Sequence, residues 1–390
     1  MRLNIVNANL VLQDEIAYKT SLAVEDGMIS KIGCRCPSGG EVLDAGGSYV
    51  IPGMIDIHSD HIEQVIEPRR NSVIDIKLAL HEQEKQLINQ GITTMYHSLT
   101  MNNIFAKGKW DAARGEGFAE RIVEEIKSAN TKPRLIKHKL HLRFEITQLD
   151  GVEIATKLLD EGAVSLLSFM DHTPGQGQYR DMEKLRAAIK KGNPKLTEKE
   201  IDEYVDKRVN TEKIPRKEYA QVAKRAKNLG VKIASHDDDT LEKVDFVKNT
   251  LDATISEFPV EIGVARFARK LGMDTVGGAP NILTGKSHSG NMIAAEGILD
   301  GCITILCSDY YPAGMLQAIF KLNKEYGVPL HECVRLVTAA PAEAVGIADG
   351  YGSIEEGKKA DLVVVDISGE CPVVTAVITE GKISSVLNYH

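Results

Sequence analysis

Side chains that bind metals and move protons are concentrated in residues 54–61. Asp56, His58 and Asp60 occupy every second position in this stretch. Because successive side chains of a strand point to opposite faces, these three are expected on one face. An imidazole and a carboxylate two residues apart at the end of a strand can bind one divalent cation. The alternative interpretation is that His58 is only a polar residue at a strand end and that Asp60 begins a loop.

Residues of the same kind lie at the ends of most apolar runs farther along the chain. A single histidine in such a place is more often a hydrogen-bonded structural residue than a metal ligand. Four of the 11 histidines, however, stand at such ends, namely His58, His97, His172 and His236. Two histidine-containing half-sites bridged by a carboxylate are typical of a binuclear centre. The sequence therefore predicts two divalent ions, which are Zn, Mn or Fe because histidine–carboxylate sites accept all three. Alternation also places His141 on the same face as Arg143 and Glu145. The residues at these later strand ends are His97, Arg143, Glu145, Asp171, His172, His236, Asp237, Glu257 and Asp309.

The elements that bring these ends together must alternate between strand and helix. Eight apolar runs, from residues 54–58 to residues 303–309, are separated by helical stretches such as 76–90 and 260–271. Alternation of this kind indicates a parallel sheet, and eight units in roughly 290 residues indicate a (β/α)₈ barrel. The C-terminal ends of the strands meet at one face of such a barrel, where active sites lie. The polar strand ends are therefore expected to form one site.

Short strands with tight turns occupy both ends of the chain. In the N-terminal part, Asp26-Gly27 between two apolar alternations is a strong hairpin signal. Neither end has enough strands for a stable sheet of its own, so we expect residues 1–51 and 347–390 to pair into one small β-sandwich domain. Residues 52–346 then form the barrel, which gives an α/β protein with two domains.

A charged helical segment of about residues 179–226 exceeds what a barrel needs after its fourth strand. Its sequence Thr197-Glu198-Lys199-Glu200 is typical of a capping box at the start of a helix. A solvated helical excursion is one interpretation of this segment. A lid over the site is the other.

The composition of the chain excludes several classes of function. The chain has 390 residues, of which 43% are hydrophobic and 26% are charged, and no apolar run is long enough to span a bilayer. Its formal net charge of −8 argues against a nucleic-acid binder. The N-terminus lacks the apolar core of a signal peptide, and the six cysteines show no disulfide spacing. We therefore expect a cytoplasmic protein with reduced thiols and no membrane or nucleic-acid partner.

Three loops have the composition of anion-binding sites. Residues 285–291 combine small residues with a lysine and precede a helical stretch whose N-terminus attracts anions. The alternative role of Ser289 in this loop is that of a helix N-cap. Residues 174–180 and 67–70 are the other two loops, although glycine-rich loops are weak signals individually. The candidate substrate-binding residues are Arg69, Arg143, Gln176, Lys286, His288, Ser289 and Asn291.

Two motifs resemble the amidohydrolase superfamily. Residues 52–58 resemble its first barrel strand, and residues 352–364 resemble its return to the β-domain. The resemblance implies a metal-dependent hydrolase in which Glu145 bridges two ions and Asp309 binds metal and moves protons. The superfamily usually has His-x-His on the first strand, whereas this chain has His58-Ser59-Asp60. The metal ligands that the resemblance implies are His58, Asp60, Glu145, His172, His236 and Asp309.

Further motifs resemble one branch of that superfamily. They comprise residues 140–145, 170–176 and 287–291 together with the departure at Asp60. Members of this branch remove pyrophosphate from a methylphosphonate-bearing ribose 5-triphosphate in the carbon–phosphorus lyase pathway, so the resemblance implies a diphosphatase acting on a small phosphorylated ribose. We also expect a homo-oligomer. Two alternatives stay open: a hydrolase of C–N bonds, such as a deacetylase or cyclic amidase, and a non-catalytic binding protein on the same scaffold.

Overall fold

Two eight-stranded sheets organise the protein. The computed structural model describes residues 2–33, 39–69, 72–100, 118–287 and 291–389. In chain order the strands are β1 (Arg2–Val11), β2 (Ile16–Glu25), β3 (Met28–Ile32), β4 (Glu41–Asp44), β5 (Tyr49–Pro52), β6 (Met54–Ser59), β7 (Ile92–Thr100), β8 (Lys137–Glu145), β9 (Val164–Met170), β10 (Lys232–His236), β11 (Ile255–Glu257), β12 (Asp274–Gly278), β13 (Ile305–Cys307), β14 (Leu362–Asp366), β15 (Val373–Thr379) and β16 (Lys382–Val386).

One of the two sheets is the barrel that the sequence predicts. It consists of β6 to β13, and each strand is parallel to the next along the chain. A parallel bridge between Ser59 and Asp309 joins β6 to the end of β13, and the backbone amide of Asp60 donates to the carbonyl oxygen of Asp309 at 3.0 Å. The eight predicted strands and the α/β barrel are therefore confirmed.

Helices fill the connections between the barrel strands and pack on the outside of the ring. Their apolar faces and the outward side chains of the strands form the core between helices and barrel. No helix in the described ranges is long and apolar enough to cross a membrane. The helices are α1 (His61–Ile66), α2 (Ile76–Asn89), α3 (Phe118–Ala129), α4 (Gly151–Asp160), α5 (Met182–Gly192), α6 (Glu198–Val209), α7 (Arg216–Asn228), α8 (Leu241–Leu251), α9 (Ile262–Lys270), α10 (Ala279–Thr284), α11 (Ala294–Leu299), α12 (Gly314–Tyr326), α13 (Leu330–Arg335) and α14 (Ala339–Val345).

Strand β8 shows how the barrel separates apolar from polar side chains. Leu140, Leu142 and Phe144 point outward into the core shared with the helices. The intervening residues His141 and Arg143 contact side chains of β9 and β10 inside the ring. Because the side chains of a strand alternate between its faces, the apolar period of two directs the polar residues of β8 toward the barrel axis.

The second sheet joins the two ends of the chain, as the sequence predicts. Its strand order is β16-β15-β14-β5-β1-β2-β3, and β4 pairs with β1. Strand β14 runs antiparallel to β5, with Leu362 opposite Pro52. The predicted turn Asp26-Gly27 links β2 to β3, and both residues have positive φ. The sheet is mostly antiparallel, although β1 runs parallel to β4 and β5.

The charged segment after β9 contains three helices with different surroundings. Helix α7 packs in the barrel wall, where Tyr219 and Val222 belong to the same core as the strands. Helices α5 and α6 share a small separate core of Leu185, Ile201 and Val205, and the predicted capping box starts α6. Helices α5 and α6 are therefore the insertion into the barrel, whereas α7 is one of the helices that pack on the barrel strands.

Candidate metal centre

Two clusters of potential metal ligands lie at the C-terminal ends of the barrel strands. The inner cluster consists of His58, His141 and Glu257, which are all buried. Nδ1 of His58 lies 2.9 Å from Oε1 of Glu257, and Nε2 of His141 lies 3.7 Å from Oε2 of the same residue. Burial lowers the pKa of His58 well below its usual value and lowers the pKa of His141 to about 3. Both imidazoles are therefore neutral, as metal ligands must be.

The outer cluster consists of His172, His236 and Asp237. Nδ1 of His236 lies 3.0 Å and Nε2 of His172 lies 3.7 Å from Oδ2 of Asp237. These three atoms are buried, and none has a well-aligned hydrogen-bond partner within the described part of the chain. Buried polar atoms are normally paired because leaving them unpaired is costly. Two imidazoles and a carboxylate are ligands that Zn, Mn and Fe accept, so a divalent ion fits this cluster.

The two clusters are neighbours. The ring centroids of His58 and His236, one from each cluster, are 5.3 Å apart. The ring of Phe258 packs against both of them, with centroid distances of 5.0 Å to His58 and 5.2 Å to His236. An aromatic ring in this position limits the movement of both imidazoles and excludes water from one side of them. The centre therefore offers two adjacent groups that could each hold an ion.

Residues around the outer cluster orient its imidazoles. Oε2 of Glu145 lies 2.7 Å from Nδ1 of His172, which leaves Nε2 of the ring on the side of Asp237. A carboxylate behind a ligating histidine fixes its tautomer and its ring orientation. On another side, Nη2 of Arg143 lies 3.2 Å from Nε2 of His236. The structure thus places Glu145 behind one imidazole, whereas the family resemblance implies a bridge between two ions.

Asp60 and Asp309 face the space next to the two clusters. Burial and the nearby charge of Asp60 raise the pKa of Asp309 to about 7. Burial also raises the pKa of Asp60, whose Oδ1 has no hydrogen-bond partner in the described ranges. A carboxyl group that titrates near neutrality is suited to accept and release a proton. Asp309 therefore has the properties of a general base.

A cavity of about 450 Å³ opens onto both clusters. Its volume is typical of a site for a small molecule. Two side chains with positive charge, Arg143 and Lys286, contribute to its wall, and so do Gln178 and Asn291. The structure therefore brings three of the candidate substrate-binding residues, Arg143, Lys286 and Asn291, to the same space as the potential metal ligands.

The other candidate substrate-binding residues are not placed in this cavity. Arg69 is exposed and does not line it. Gln176 donates to Oγ1 of Thr173 at 2.6 Å and lines a separate cavity. His288 and Ser289 lie outside the described residues. The loop of residues 174–180 reaches the metal-centre cavity through Gln178 instead.

Three residues of the clusters, His141, Glu257 and Asp237, are absent from the ligand set that the sequence predicts. Their signal is the strand-end pattern itself, since each lies on or directly after a predicted barrel strand. The family resemblance pointed to other carboxylates. His97 fits the same pattern but faces the outer layer, where its Nε2 lies 2.9 Å from Nδ1 of His138. Strand-end position alone therefore does not distinguish a ligand from a structural histidine.

A barrel with histidine and carboxylate clusters at its strand ends can be compared with known protein families. The model of the Amidohydrolase family matches residues 49–384. The chain therefore belongs to the amidohydrolase family and is an enzyme of that superfamily. Among known proteins it is similar to α-D-ribose 1-methylphosphonate 5-triphosphate diphosphatase of Escherichia coli (strain K12), with 33% identity over 367 residues, 92% of this chain and 93% of that protein. This similarity confirms the resemblance to the diphosphatase branch.

Other relatives have different names. Imidazolonepropionase of Clostridium tetani is 24% identical over 396 residues, which covers 90% of this chain and 85% of that protein. Among solved structures, N-acetylglucosamine-6-phosphate deacetylase from Pasteurella multocida has a TM-score of 0.65 at 14% identity and covers 98% of this chain and 99% of its own. A structure of 5-methylcytosine deaminase from Klebsiella pneumoniae has a TM-score of 0.66 at 15% identity, with 99% of both chains covered. These two structures show the shared fold alone.

Proposed function

We propose that the protein is a metal-dependent diphosphatase that hydrolyses α-D-ribose 1-methylphosphonate 5-triphosphate to the 5-phosphate and pyrophosphate. The similarity over 92% of the chain to an enzyme of that name supports the proposal. The structural observation that carries it is the cavity that joins the ligand clusters to Arg143 and Lys286. A triphosphate has several negative charges that cations must offset, whereas a neutral amide has none.

The residues of the cavity have different roles in the proposed reaction. A bound divalent ion supplies Lewis acidity and a nucleophilic water at neutral pH. Asp309, whose pKa burial raises to about 7, accepts the proton of the attacking water. A bond forms between the water oxygen and the phosphorus attached to the ribose, and the bond from this phosphorus to pyrophosphate breaks. Arg143 and Lys286 offset the charge on the phosphoryl oxygens and on the leaving pyrophosphate.

Phosphorus NMR tests the proposed reaction. Protein incubated with Mn²⁺ and the ribose triphosphate is expected to release pyrophosphate and the ribose 5-phosphate in equal amounts. In ¹⁸O-labelled water the label is expected in the ribose 5-phosphate, because the attacked phosphorus is the one attached to the ribose. Release of orthophosphate only, label in the pyrophosphate, or no turnover with metal present contradicts the proposal.

Hydrolysis of a C–N bond is the second candidate function. The similarity to an imidazolonepropionase over 90% of the chain favours it. Cyclic amides and acetylated amino sugars, assayed beside the ribose triphosphate with the same metal, distinguish the two candidates. Turnover of an amide without turnover of the triphosphate would establish the second candidate in place of the first.

A further inference from the structure

Arg143 is a buried cation that has no direct contact with a carboxylate of the described residues. The residue is only 9% exposed, and no carboxylate of the described residues lies within 4.0 Å of its guanidinium. Its contacts are Nε to Sδ of Met170 at 3.1 Å and Nη2 to Nε2 of His236 at 3.2 Å. A guanidinium has five N–H donors, and buried charges are normally paired. Arg143 also lines the cavity. Its remaining N–H groups can therefore donate hydrogen bonds to an anion bound there.

The contact between Arg143 and His236 affects the ability of the imidazole to bind a metal. A guanidinium can only donate hydrogen bonds, so Nε2 of His236 must be the acceptor. A neutral imidazole has one acceptor nitrogen, and its proton is then on Nδ1. Nδ1 is the atom that lies 3.0 Å from Oδ2 of Asp237 in the outer cluster, and a nitrogen that carries a proton cannot be a metal ligand. The Arg143 contact and a metal at this nitrogen therefore exclude each other.

We propose that Arg143 couples oxyanion binding in the cavity to metal binding at the outer cluster. A phosphoryl group of a substrate draws the guanidinium into a bidentate pair. His236 then loses the donor at Nε2, its proton moves through solvent from Nδ1 to Nε2, and Nδ1 becomes available beside His172 and Asp237. Oxyanion and metal thus bind with positive cooperativity. The inference rests on the proposed metal-dependent function, although it does not depend on which bond the enzyme breaks.

Manganese binding to the wild-type protein with and without sulfate tests this coupling. Sulfate is a tetrahedral oxyanion that chelates Mn²⁺ only weakly. Free Mn²⁺ is measured by electron paramagnetic resonance during titration of metal-free protein, in sulfate and in chloride buffers of equal ionic strength. Sulfate is expected to raise Mn²⁺ affinity about 5-fold or more, and Mn²⁺ to raise sulfate affinity by the same factor, because coupling between sites is reciprocal. Equal Mn²⁺ affinity in the two buffers overturns the inference.

Substitution of Arg143 separates this coupling from direct contact between sulfate and the ion. Arg143→Met is expected to bind Mn²⁺ in chloride as tightly as wild type does in sulfate, and to lose the sulfate response. Arg186→Met is the matched control, because Arg186 is a surface residue of α5 that pairs with Asp202, and it should keep the full response. If Arg143→Met does not fold, Arg143→Lys is measured and a reduced response is expected. A sulfate response of wild-type size in either Arg143 variant overturns the inference.

The outcomes distinguish this inference from the proposed function. If the protein releases pyrophosphate but its Mn²⁺ affinity is the same with and without sulfate, the coupling is refuted and the diphosphatase proposal stays intact. A sulfate-dependent Mn²⁺ affinity in a protein that does not cleave the triphosphate would support the coupling and refute the diphosphatase proposal.

Discussion

Buried atoms without hydrogen-bond partners are concentrated at the outer cluster of the metal centre. Nε2 of His172, Nδ1 of His236 and Oδ2 of Asp237 are three such atoms in the described ranges. Each unpaired buried donor or acceptor costs about 1–3 kcal/mol, and folded proteins contain few of them. Three that converge on one point are better explained by a ligand than by poor packing. The same reasoning extends to Oε2 of Glu257 in the inner cluster, which also has no hydrogen-bond partner among the residues that the structure describes.

Glu257→Gln is expected to weaken metal binding at least as much as the loss of an outer-shell partner does, which is about 10–100-fold. The substitution preserves the size of the side chain but replaces the carboxyl group that faces His58 and His141 with an amide. Metal affinity is measured by competition with a chromophoric chelator and by elemental analysis after dialysis. Glu261→Gln is the matched control, because Glu261 is exposed and pairs with Arg180. Equal metal affinity in the two variants would show that the inner cluster is not part of the metal centre.

His97 belongs to a buried polar network on the outside of the barrel. It contacts His138, whose Nε2 lies 3.3 Å from Oε2 of Glu84. Oε1 of Glu84 also lies 3.1 Å from His81 and 3.3 Å from Arg134. Burial alone would raise the pKa of Glu84, but hydrogen bonds from the histidines and the charge of Arg134 lower it to about 2. The ionised carboxylate therefore stabilises the folded state.

Glu84→Gln is expected to lower the free energy of unfolding at neutral pH by about 3 kcal/mol at most. Because folding lowers the pKa of Glu84, this stabilisation is fully present above its ordinary value of 4.5 and disappears as the pH falls toward 2. Urea unfolding should give a constant difference between wild type and variant from about pH 8 to 6, and a difference smaller by about 1 kcal/mol at about pH 3.5. A difference that does not change with pH would show that the charge of Glu84 is not its source.

The pattern of residues predicts strand ends better than it predicts side-chain directions. His58 and His97 both lie near the end of a predicted strand, yet only His58 points into the ring. The difference comes from which residues of each strand face inward, and a shift of one residue reverses every direction. Strand β7 is buried along nearly its whole length, so its sequence has apolar residues on both faces and does not reveal which face points inward.

At the scale of single elements, three barrel strands end in an uncommon backbone conformation. Asp237, Phe258 and Asp309 follow β10, β11 and β13 with φ values of +52°, +53° and +58°. Non-glycine residues in this region cost about 1–3 kcal/mol and are frequent at functional sites. The turns place Asp237 and Asp309 in the wall of the cavity and Phe258 against the two histidines. Periodicity did not predict them, because the alternation of a strand carries no information beyond its last residue.

Helix α6 is attached to the metal centre through one arginine. Nη2 of Arg208 donates to the carbonyl oxygen of His172 at 2.8 Å, and its guanidinium lies 5.3 Å from the ring centroid of Tyr179. The Tyr179 ring in turn lies 6.2 Å from the ring of His172. Helix α6 therefore supports the loop that carries an outer-cluster residue. A lid movement of the segment stays a prediction.

Arg208→Met is expected to weaken metal binding about 10-fold, the lower end of what loss of an outer-shell partner costs. The reason is that the loop around His172 loses its charge-assisted hydrogen bond and holds the imidazole less firmly. Mn²⁺ affinity is measured as above, and urea unfolding checks that the variant is folded. Arg186→Met, which breaks the exposed ion pair between Arg186 of α5 and Asp202 of α6, should leave the affinity unchanged. Equal affinities in the two variants would show that α6 does not support the metal centre.

At the scale of the whole molecule, the order of elements was predictable and the lining of the cavity was not. Alternation of strands and helices is local, so each barrel strand could be read from its own residues, and the closed ring follows from their number. The cavity instead depends on the turn that each loop makes after its strand. Gln178 lines the cavity, whereas Gln176 in the same short loop does not, and the sequence contains no signal that distinguishes them.

The metal centre also connects distant parts of the chain, so its occupancy should determine global stability. His58 and Glu257 are 199 residues apart in sequence and 2.9 Å apart in space, which means that unfolding destroys the centre. A ligand that binds only the folded state stabilises that state by RT ln(1 + [L]/Kd). Above saturation, each tenfold increase in free Mn²⁺ is therefore expected to add about 1.4 kcal/mol to the free energy of unfolding for every ion bound.

The slope of stability against free Mn²⁺ counts the ions that leave on unfolding. Urea unfolding in chelator-buffered Mn²⁺ gives this slope at several concentrations. Because the two clusters are separate groups of ligands, a binuclear centre is expected to give about 2.8 kcal/mol per tenfold change, and a single ion half of that. At free Mn²⁺ concentrations below the weakened Kd of the inner cluster, Glu257→Gln should reduce the slope of a binuclear centre toward the value for one ion, since it affects the inner cluster alone. Stability that does not change from excess chelator to millimolar Mn²⁺ would show that the clusters are not a metal centre.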